Sequence, residues 1–265
     1  MKNSHIGIFD SGIGGLTVAK ALMNVLPKEN IVYFGDTKHL PYGEKSIKSI
    51  QEFSTKIINF LVSKKCKIII IACNSASSAV AQSIAKVAYN IPILNVIDPV
   101  IKEVGKVCSN NIGVIGTKAT ISSNIYEKKF KLLDNNANIR SLATPLLAPM
   151  IEEGFINEKI SSTIITNYLS DKRLANISHL ILACTHYPLI QQEISDYYKN
   201  KVTVIDSATI VAKYIALKLK KLDLLSVSTT KNHHFYVSNY TDSFEKSANF
   251  FLKKSIKLKE VDIFS

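Results

Sequence analysis

Four short sequence landmarks occur twice along this chain, in the same order and at nearly constant separation. The separation is 106 residues between Ile6 and Ile112 and 111 residues between Cys73 and Cys184. Because the matches keep the same order and nearly the same spacing, they predict that the chain contains two diverged copies of one supersecondary arrangement. The matched segments are residues 5–9 with 111–115, 30–32 with 138–140, the apolar runs that end at Cys73 and Cys184, and 97–98 with 205–206.

The apolar runs of both copies are short, rich in β-branched residues and free of polar alternation. Such runs are typical of strands that are buried on both faces of a parallel sheet. Segments with helical patterning lie between them, at residues 16–26, 46–63, 77–89 and 158–169. This alternation predicts an α/β fold with two pseudo-symmetric parallel-sheet domains.

Functional sites of parallel α/β sheets form beyond the carboxyl ends of the strands, and pockets are common between domains. Asp10, Cys73, Thr117 and Cys184 all follow or end a predicted strand. We therefore expect the active site in the crevice between the two domains.

The second copy ends near Asp206, and the remaining tail predicts a helix at 209–224, a strand at 235–237 and an amphipathic helix at 243–252. In the simplest layout the chain crosses to a second domain near Asp98 and returns near Asp206. We therefore expect a discontinuous first domain, formed by residues 1–97 and 208–265, and a second domain formed by residues 98–207.

Composition and charge argue against several classes of protein. No charged-then-apolar signal opens the chain, and no apolar run approaches the roughly 18–20 residues that cross a bilayer, so we expect a cytoplasmic protein without membrane contact. The net charge of +12 comes almost entirely from scattered lysines, so we expect no nucleic-acid partner. The resulting field would attract an anionic substrate.

The chain contains only four cysteines, which do not make a dense disulfide framework and suit a reducing compartment. Cys66 and Cys108 lack a polar constellation around them, and we expect them to be small buried or surface thiols without a catalytic role.

The glycine-rich segment at residues 10–16 lies between a predicted strand and a predicted helix. It does not match the dinucleotide-binding fingerprint, because the third glycine would fall at Thr17. One interpretation is a tight turn whose backbone N–H groups bind a carboxylate at the helix amino terminus. In the other, the glycines only let the strand and the helix pack closely.

Cys73 and Cys184 occupy matching places in the two copies, so a duplicated fold would present two thiols to one substrate from opposite sides. This is the arrangement that inverting a stereocentre requires. A free thiol is mostly protonated at neutral pH, and a helix amino terminus stabilises the thiolate by only about 0.3–1 kcal/mol. Removing a proton next to a carboxylate also needs local bases and stabilising dipoles. Asp10 beside Cys73 and His186 beside Cys184 are the candidate helpers.

These motifs closely resemble those of the glutamate racemases, and the resemblance covers essentially the whole chain. It is carried by residues 9–18, 33–36 with 41–43, 72–76 and 184–188. The resemblance implies an isomerase that interconverts L- and D-glutamate without pyridoxal phosphate, another cofactor or a metal, and that supplies D-glutamate for bacterial peptidoglycan and cell-wall synthesis. It also implies a homodimer.

The resemblance further implies roles for individual residues. Cys73 and Cys184 would be the two acid/base groups, assisted by Asp10 and His186, with Glu152 as a further candidate near His186. Ser75 departs from the family, which usually has threonine there; serine keeps the hydroxyl but loses a methyl group. The implied substrate contacts are Asp10, Ser11, Tyr42, Gly43, Asn74, Ser75, Thr185 and His186, with Thr117 and Thr120 as additional carboxylate contacts.

Other interpretations remain open at this point. Aspartate racemases share the two-thiol plan but tend to have an acidic residue in place of His186, which favours glutamate here. A zinc site or a thiol-redox site is disfavoured because paired Cys-x-x-Cys spacing is missing. A noncatalytic amino-acid-binding or nucleic-acid-binding protein is the main alternative of a different class.

Overall fold

A computed structural model describes residues 2–80, 90–107 and 111–265 and contains two parallel sheets. The first sheet has the strand order β10-β9-β2-β1-β3-β4, and the second has the order β6-β5-β7-β8. The strands of the first sheet are β1 Ile6–Asp10, β2 Ile31–Gly35, β3 Ile68–Ile71, β4 Ile93–Asn95, β9 His234–Val237 and β10 Leu258–Glu260. Those of the second sheet are β5 Ile112–Gly116, β6 Ile139–Ala143, β7 His179–Ala183 and β8 Thr203–Ile205.

Helices cover both sheets and separate consecutive parallel strands, as parallel pairing requires. They are α1 Leu16–Val25, α2 Ile47–Ser63, α3 Asn74–Val80, α4 Ile97–Val104, α5 Lys118–Ser122, α6 Ile125–Leu133, α7 Leu147–Glu152, α8 Lys159–Leu169, α9 Gln191–Tyr197, α10 Ser207–Lys221 and α11 Asp242–Leu252. All four isoleucines of β3 are buried, and burial of each such side chain contributes about 1.5–3 kcal/mol to stability.

The predicted duplication is visible in the strand order. The first four strands run β2-β1-β3-β4 and the next four run β6-β5-β7-β8, so corresponding strands hold corresponding places. Every pairing in both sheets is parallel. The predicted fold class, two pseudo-symmetric parallel-sheet α/β units, is therefore confirmed.

One of the four sequence matches was wrong. Ile97 begins α4, whereas Ile205 ends β8, so these two residues are not equivalent. The counterpart of Asp206 is Asn95, because both side chains cap the helix that follows. Asn95 Oδ1 accepts from the backbone N–H of Ile97 at 2.9 Å, and Asp206 Oδ1 accepts from that of Ala208 at 2.9 Å.

Most of the helix and strand predictions agree with the structure to within a few residues at their ends. The predicted helix at 77–89 is described only to Val80, as part of α3, and residues 81–89 lie outside the described residues, as does Cys108. Strand β10 was not predicted, because its sequence lies in a lysine-rich segment. Cys66, Cys73 and Cys184 are buried free thiols.

One of the two clusters of buried apolar side chains joins the two sheets, and the other lies between the first sheet and α2. The joining cluster runs from the α1 side of the first sheet into the second sheet. The described chain leaves the first sheet after β4 and returns after β8, and α4 and α10, which follow these strands, pack against each other. The exact domain boundaries stay a prediction. No helix in the described ranges is both long and apolar enough to cross a lipid bilayer.

Candidate active site

A cavity of about 270 Å³ lies where the carboxyl ends of strands from both sheets meet. Segments that were not predicted also contribute to its wall, among them Leu40, Glu44 and residues from Pro145 to Pro149. Of the predicted site residues, those that line it are Ser11, Tyr42, Gly43, Cys73, Asn74, Ser75, Thr117, Glu152, Cys184, Thr185 and His186.

Two predicted site residues, Asp10 and Thr120, do not line this cavity and are buried behind its wall. A larger groove of about 550 Å³ lies between α4 and α10 and is rich in lysines, but it contains none of the predicted site residues. We therefore take the smaller cavity as the candidate active site, because the nucleophilic and acid/base groups converge there.

Cys73 lies between the end of β3 and the first residue of α3, and it is 5% exposed. The backbone N–H of Ala76 donates to its Sγ at 3.4 Å, and Ser11 Oγ is 3.7 Å away. Burial and the nearby charge of Asp10 nevertheless raise the pKa of Cys73 to about 12. The helix amino terminus is therefore insufficient to hold this sulfur as a thiolate, and the resting form is the thiol.

Asp10 is the last residue of β1 and is fully buried. Its carboxylate accepts from the backbone N–H of Gly12 at 3.0 Å and from Thr185 Oγ1 at 3.3 Å. Burial raises the pKa of Asp10 above its usual range, although the charge of His186 and these hydrogen bonds oppose the rise. A buried carboxyl of this kind can hold or release a proton next to Cys73.

Cys184 follows β7 directly and is the first member of a chain of three acid/base groups. Its Sγ is 3.6 Å from His186 Nδ1, and His186 Nε2 is 2.8 Å from Glu152 Oε1, at the end of α7. Burial lowers the pKa of His186, but the hydrogen bonds to Cys184 and Glu152 hold it well above its ordinary value. The imidazole is therefore protonated at neutral pH and lies between a sulfur and a carboxylate.

A cluster of hydroxyl groups joins the two halves of the site. Ser75 Oγ lies 2.8 Å from Thr117 Oγ1, which lies 3.1 Å from Thr120 Oγ1. Thr117 also caps α5, since its Oγ1 accepts from the backbone N–H of Thr120 at 3.3 Å. Ser75 therefore makes a polar contact to Thr117 through the hydroxyl that it shares with threonine.

The loop that carries Tyr42 and Gly43 is fixed by Asp36, which sequence reasoning had not assigned to the site. Tyr42 Oη donates to Asp36 Oδ2 at 2.6 Å, and Ser238 Oγ donates to Asp36 Oδ1 at 2.7 Å. Burial, followed by the charge of Asp36, raises the pKa of Tyr42, so the phenol stays protonated. The available signal was the position of Asp36 directly after β2, the same position that drew attention to Thr117 after β5.

The glycine-rich loop after β1 is explained by close packing at one position. A Cβ atom at Gly14 would lie 2.5 Å from both His186 Nδ1 and Thr185 Oγ1. Only glycine lets the loop approach these two residues so closely, and this supports the packing interpretation at Gly14.

The chemistry of the wall suits a small dianion or zwitterion. Among the described residues no lysine or arginine lines the cavity, so besides His186 the donors for a carboxylate are hydroxyls, the Asn74 amide and backbone N–H groups. Within residues 2–80, 90–107 and 111–265, no three His, Cys, Asp or Glu side chains form a cluster that could hold a metal ion. The two thiols, each placed just after a strand of a different sheet, line this same cavity.

Comparisons with known proteins agree with these features. The sequence model of the Asp/Glu/Hydantoin racemase family matches residues 16–215. The glutamate racemase of Geobacter metallireducens is 38% identical over 249 residues, covering 93% of this chain and 92% of that protein. The glutamate racemase of Streptococcus mutans is 38% identical over 266 residues, covering 99% and 100%.

Solved structures give the same result. The crystal structure of glutamate racemase from Francisella tularensis in complex with D-glutamate has a TM-score of 0.94 at 37% identity, covering 100% of this chain and 99% of that one. The aspartate racemase of Picrophilus torridus has a TM-score of 0.58 at 22% identity, covering 83% and 94%, a likeness that shows the fold alone.

Proposed function

Because the chain belongs to the Asp/Glu/hydantoin racemase family, we propose that it interconverts L- and D-glutamate by proton transfer between two cysteines. It is a racemase, an isomerase that acts on an amino acid. We further propose that it supplies D-glutamate for bacterial peptidoglycan synthesis.

One observation carries the mechanism. Cys73 and Cys184 come from different sheets and line the same small cavity, and each has its own acid/base neighbour. The two sulfurs are also close enough that charge on Cys184 contributes to the raised pKa of Cys73. A substrate in this cavity would have one sulfur available to each face of its α-carbon.

The groups beside the two sulfurs support different roles for them. On one side, hydrogen bonds to Cys184 and Glu152 raise the pKa of His186, so the Cys184 sulfur faces a cationic hydrogen-bond donor. On the other side, the raised pKa of Cys73 favours the thiol. We therefore propose that Cys184 begins the reaction as the base and Cys73 as the proton donor.

The proton transfer follows from these roles. The Cys184 thiolate removes the α-proton and becomes a thiol, while the electrons of the broken C–H bond form a planar, enolate-like intermediate. The Cys73 thiol then delivers its proton to the opposite face and becomes a thiolate. Asp10 and His186, the latter held by Glu152, restore the starting protonation with solvent, and the opposite direction uses the same groups in reverse.

Neutral donors hold the substrate in this account. Ser11, Asn74, Ser75 and Thr185 bind near the reacting carbon, and the segment at Tyr42–Gly43 with Thr117 serves the distal carboxylate, while Thr120 acts from behind the wall through its hydrogen bond with Thr117. Pre-oriented donors also stabilise the charge that develops on the α-carboxylate during proton removal. His186, where aspartate racemases tend to have an acidic residue, and the 0.94 TM-score with a glutamate racemase favour glutamate as the substrate.

A chiral assay tests the proposal. Purified wild-type protein is incubated with L-glutamate or L-aspartate without added cofactor, and both enantiomers are quantified. D-Glutamate should form readily and D-aspartate should not. Formation of D-aspartate alone would contradict the substrate assignment.

Cysteine variants test the two-thiol mechanism in the same assay. Cys73→Ala and Cys184→Ala should each abolish racemisation while circular dichroism shows an intact fold. Cys66→Ala is the matched control, because Cys66 is a buried free thiol outside the cavity and its loss should leave turnover unchanged. Wild-type turnover in both Cys73→Ala and Cys184→Ala would refute the mechanism.

A further inference from the structure

Only one of the two polar atoms of the Asn74 side-chain amide has a hydrogen-bond partner in the described part of the chain. Asn74 is 3% exposed and lines the candidate active-site cavity. Its Oδ1 accepts a hydrogen bond of 2.8 Å from Tyr126 Oη. Its Nδ2 donates to no residue in the described part of the chain. This nitrogen is not fully enclosed by protein atoms, because it is absent from the set of enclosed polar atoms without a partner. The amide hydrogens therefore have no acceptor among the described residues and can donate to a ligand in the cavity that Asn74 lines.

Tyr126 reaches Asn74 from the other half of the molecule. It is the second residue of α6, which lies between β5 and β6 of the second sheet, whereas Asn74 begins α3 after β3 of the first sheet. The ring of Tyr126 is 2% exposed and belongs to the cluster that joins the two sheets, so surrounding side chains hold it in place. The chain enters α6 through Asn124 in the left-handed conformation, with φ of 54°.

The Tyr126–Asn74 hydrogen bond runs from the phenol to the amide oxygen, with Tyr126 Oη as the donor. Burial, followed by the charge of Cys184, raises the pKa of Tyr126, so its hydroxyl keeps a proton to donate. The carbonyl oxygen of an asparagine amide accepts a hydrogen bond and its nitrogen donates two. A phenol that donates to Oδ1 therefore fixes which end of the amide faces the cavity.

We propose that Tyr126 is a positioning residue for the reaction: its hydroxyl locks the Asn74 amide so that Nδ2 donates to a carboxylate of the bound substrate. This inference rests on the proposed function, because the substrate must be an amino acid that carries a carboxylate. Without the lock, the amide can turn and offer Oδ1 to the cavity, where it would face the negative carboxylate.

Tyr126→Phe removes the hydroxyl and keeps the ring. The KM values for L- and D-glutamate should rise about 10-fold, as expected when a hydrogen bond to a charged group is weakened, while kcat should change by less than about 3-fold. The control is Tyr198→Phe, which removes another buried hydroxyl, one without a hydrogen-bond partner in the described chain. The control should have wild-type KM and kcat.

A double-mutant cycle separates positioning from a general structural role. Asn74→Ala alone should raise KM, and adding Tyr126→Phe to Asn74→Ala should raise it no further, since the amide to be positioned is absent. Equal KM increases from Tyr126→Phe in both backgrounds would overturn the inference, as would a wild-type KM in Tyr126→Phe itself.

Asn74→Asp provides a test that does not depend on the folding of a Tyr126 variant. Aspartate keeps an oxygen for Tyr126 but loses the Nδ2 donor and adds a negative charge, so KM should rise at least as much as in Asn74→Ala. A wild-type KM in Asn74→Asp would overturn the inference. If the wild-type chain turns over no glutamate, the proposed function and this inference both fail, whereas an active wild type with an unaltered Tyr126→Phe overturns the inference alone.

Discussion

At the scale of single residues, the two thiols differ in the groups that control their protons. Cys73 lies near a buried carboxyl and keeps its proton, whereas Cys184 lies near an imidazolium that is itself bound to Glu152. The duplicated fold supplies equivalent positions for the sulfurs, but divergence has placed different helpers beside them. His186 corresponds to Ser75 in the other copy, and Asp10 corresponds to Gly116.

Glu152→Gln tests the chain of three groups beside Cys184. The neutral amide no longer stabilises the imidazolium, so the pKa of His186 should fall and the thiolate of Cys184 should lose its partner. We expect kcat/KM to fall by about 10-fold, which corresponds to about 1.4 kcal/mol. The fall should be equal in both directions, because the two enantiomers have equal free energy. Glu153→Gln, at the neighbouring exposed carboxylate, is the control and should be unaffected.

The pH profile should change with the same variant. The pKa of His186 is raised in the folded protein, so the imidazolium, and the stabilisation that it gives, is present at low pH and is lost as pH rises through that raised value. The alkaline limb of kcat/KM should therefore move to lower pH in Glu152→Gln. An alkaline limb that stays in place would show that His186 does not set it.

At the scale of secondary-structure elements, the loop between β1 and α1 brings the two halves of the site together. Asp10 ends β1, and Gly14 approaches His186 and Thr185 so closely that no side chain fits between them. Thr17 Oγ1, at the start of α1, donates to the backbone oxygen of Thr185 at 2.9 Å. Contacts from this loop of the first half therefore fix the position of the segment with Thr185 and His186 in the second half.

Gly14→Ala tests this contact between elements. The added Cβ would have to displace Thr185 and His186, and overpacking of this kind costs about 1–3 kcal/mol of stability. We expect kcat/KM to fall by about 100-fold, because a displacement near 1 Å at a catalytic group costs a factor of this size. Gly12→Ala is the matched control in the same loop, since its Cβ would meet nothing closer than 3.6 Å. Wild-type kinetics in Gly14→Ala would contradict this role.

The elements that could be predicted from the sequence were those with strong local signals. The buried strands β1, β3, β5 and β7 are continuous apolar runs, and the polar residues at their ends formed most of the predicted site. Strand β10 was missed because two of its three residues are exposed and charged. The match of residues 97–98 with 205–206 was three residues out of register, because Asp98 resembles the aspartate that follows β8.

The contributions of Asp36 and Tyr126 to the site could not be predicted in the same way. Asp36 acts through Tyr42, six residues later, and through Ser238, which is distant in the sequence. Tyr126 contacts Asn74 only because two helices that are distant in the sequence, α6 and α3, come together. Such contacts depend on how distant segments of the chain pack together. That packing cannot be predicted from the local sequence around either residue.

At the scale of the whole molecule, a buried ion pair joins distant parts of the chain. Lys67 Nζ lies 2.5 Å from Glu29 Oε2, and both side chains are almost fully buried. Lys67 Nζ also donates to the backbone oxygen of Leu224 at 2.7 Å, and the backbone N–H of Ser226 donates to Glu29 Oε1 at 2.7 Å. The pair thus ties the segment after α10 to the first sheet, at the end opposite the active site.

Lys67→Ala should destabilise the protein without changing the chemistry. Removing one partner leaves a buried carboxylate without its counter-charge, which costs about 3–5 kcal/mol. Urea unfolding should show this loss, while KM and kcat measured well below the unfolding transition should stay at wild-type values. Lys2→Ala, which breaks the exposed pair with Asp223, is the control and should have little effect. Equal stability of Lys67→Ala and wild type would contradict the importance of the buried pair.

The central claim, that two sulfurs serve opposite faces of the α-carbon, is tested most directly by α-carbon labelling in deuterated water. L-Glutamate is incubated with the enzyme, the reaction is stopped at low conversion, and the deuterium content of each enantiomer is measured by chiral separation and mass spectrometry. The account predicts that D-glutamate carries solvent deuterium from the first turnovers, while the remaining L-glutamate stays largely protiated. Rapid and equal labelling of both enantiomers would point to a single base and would contradict the account.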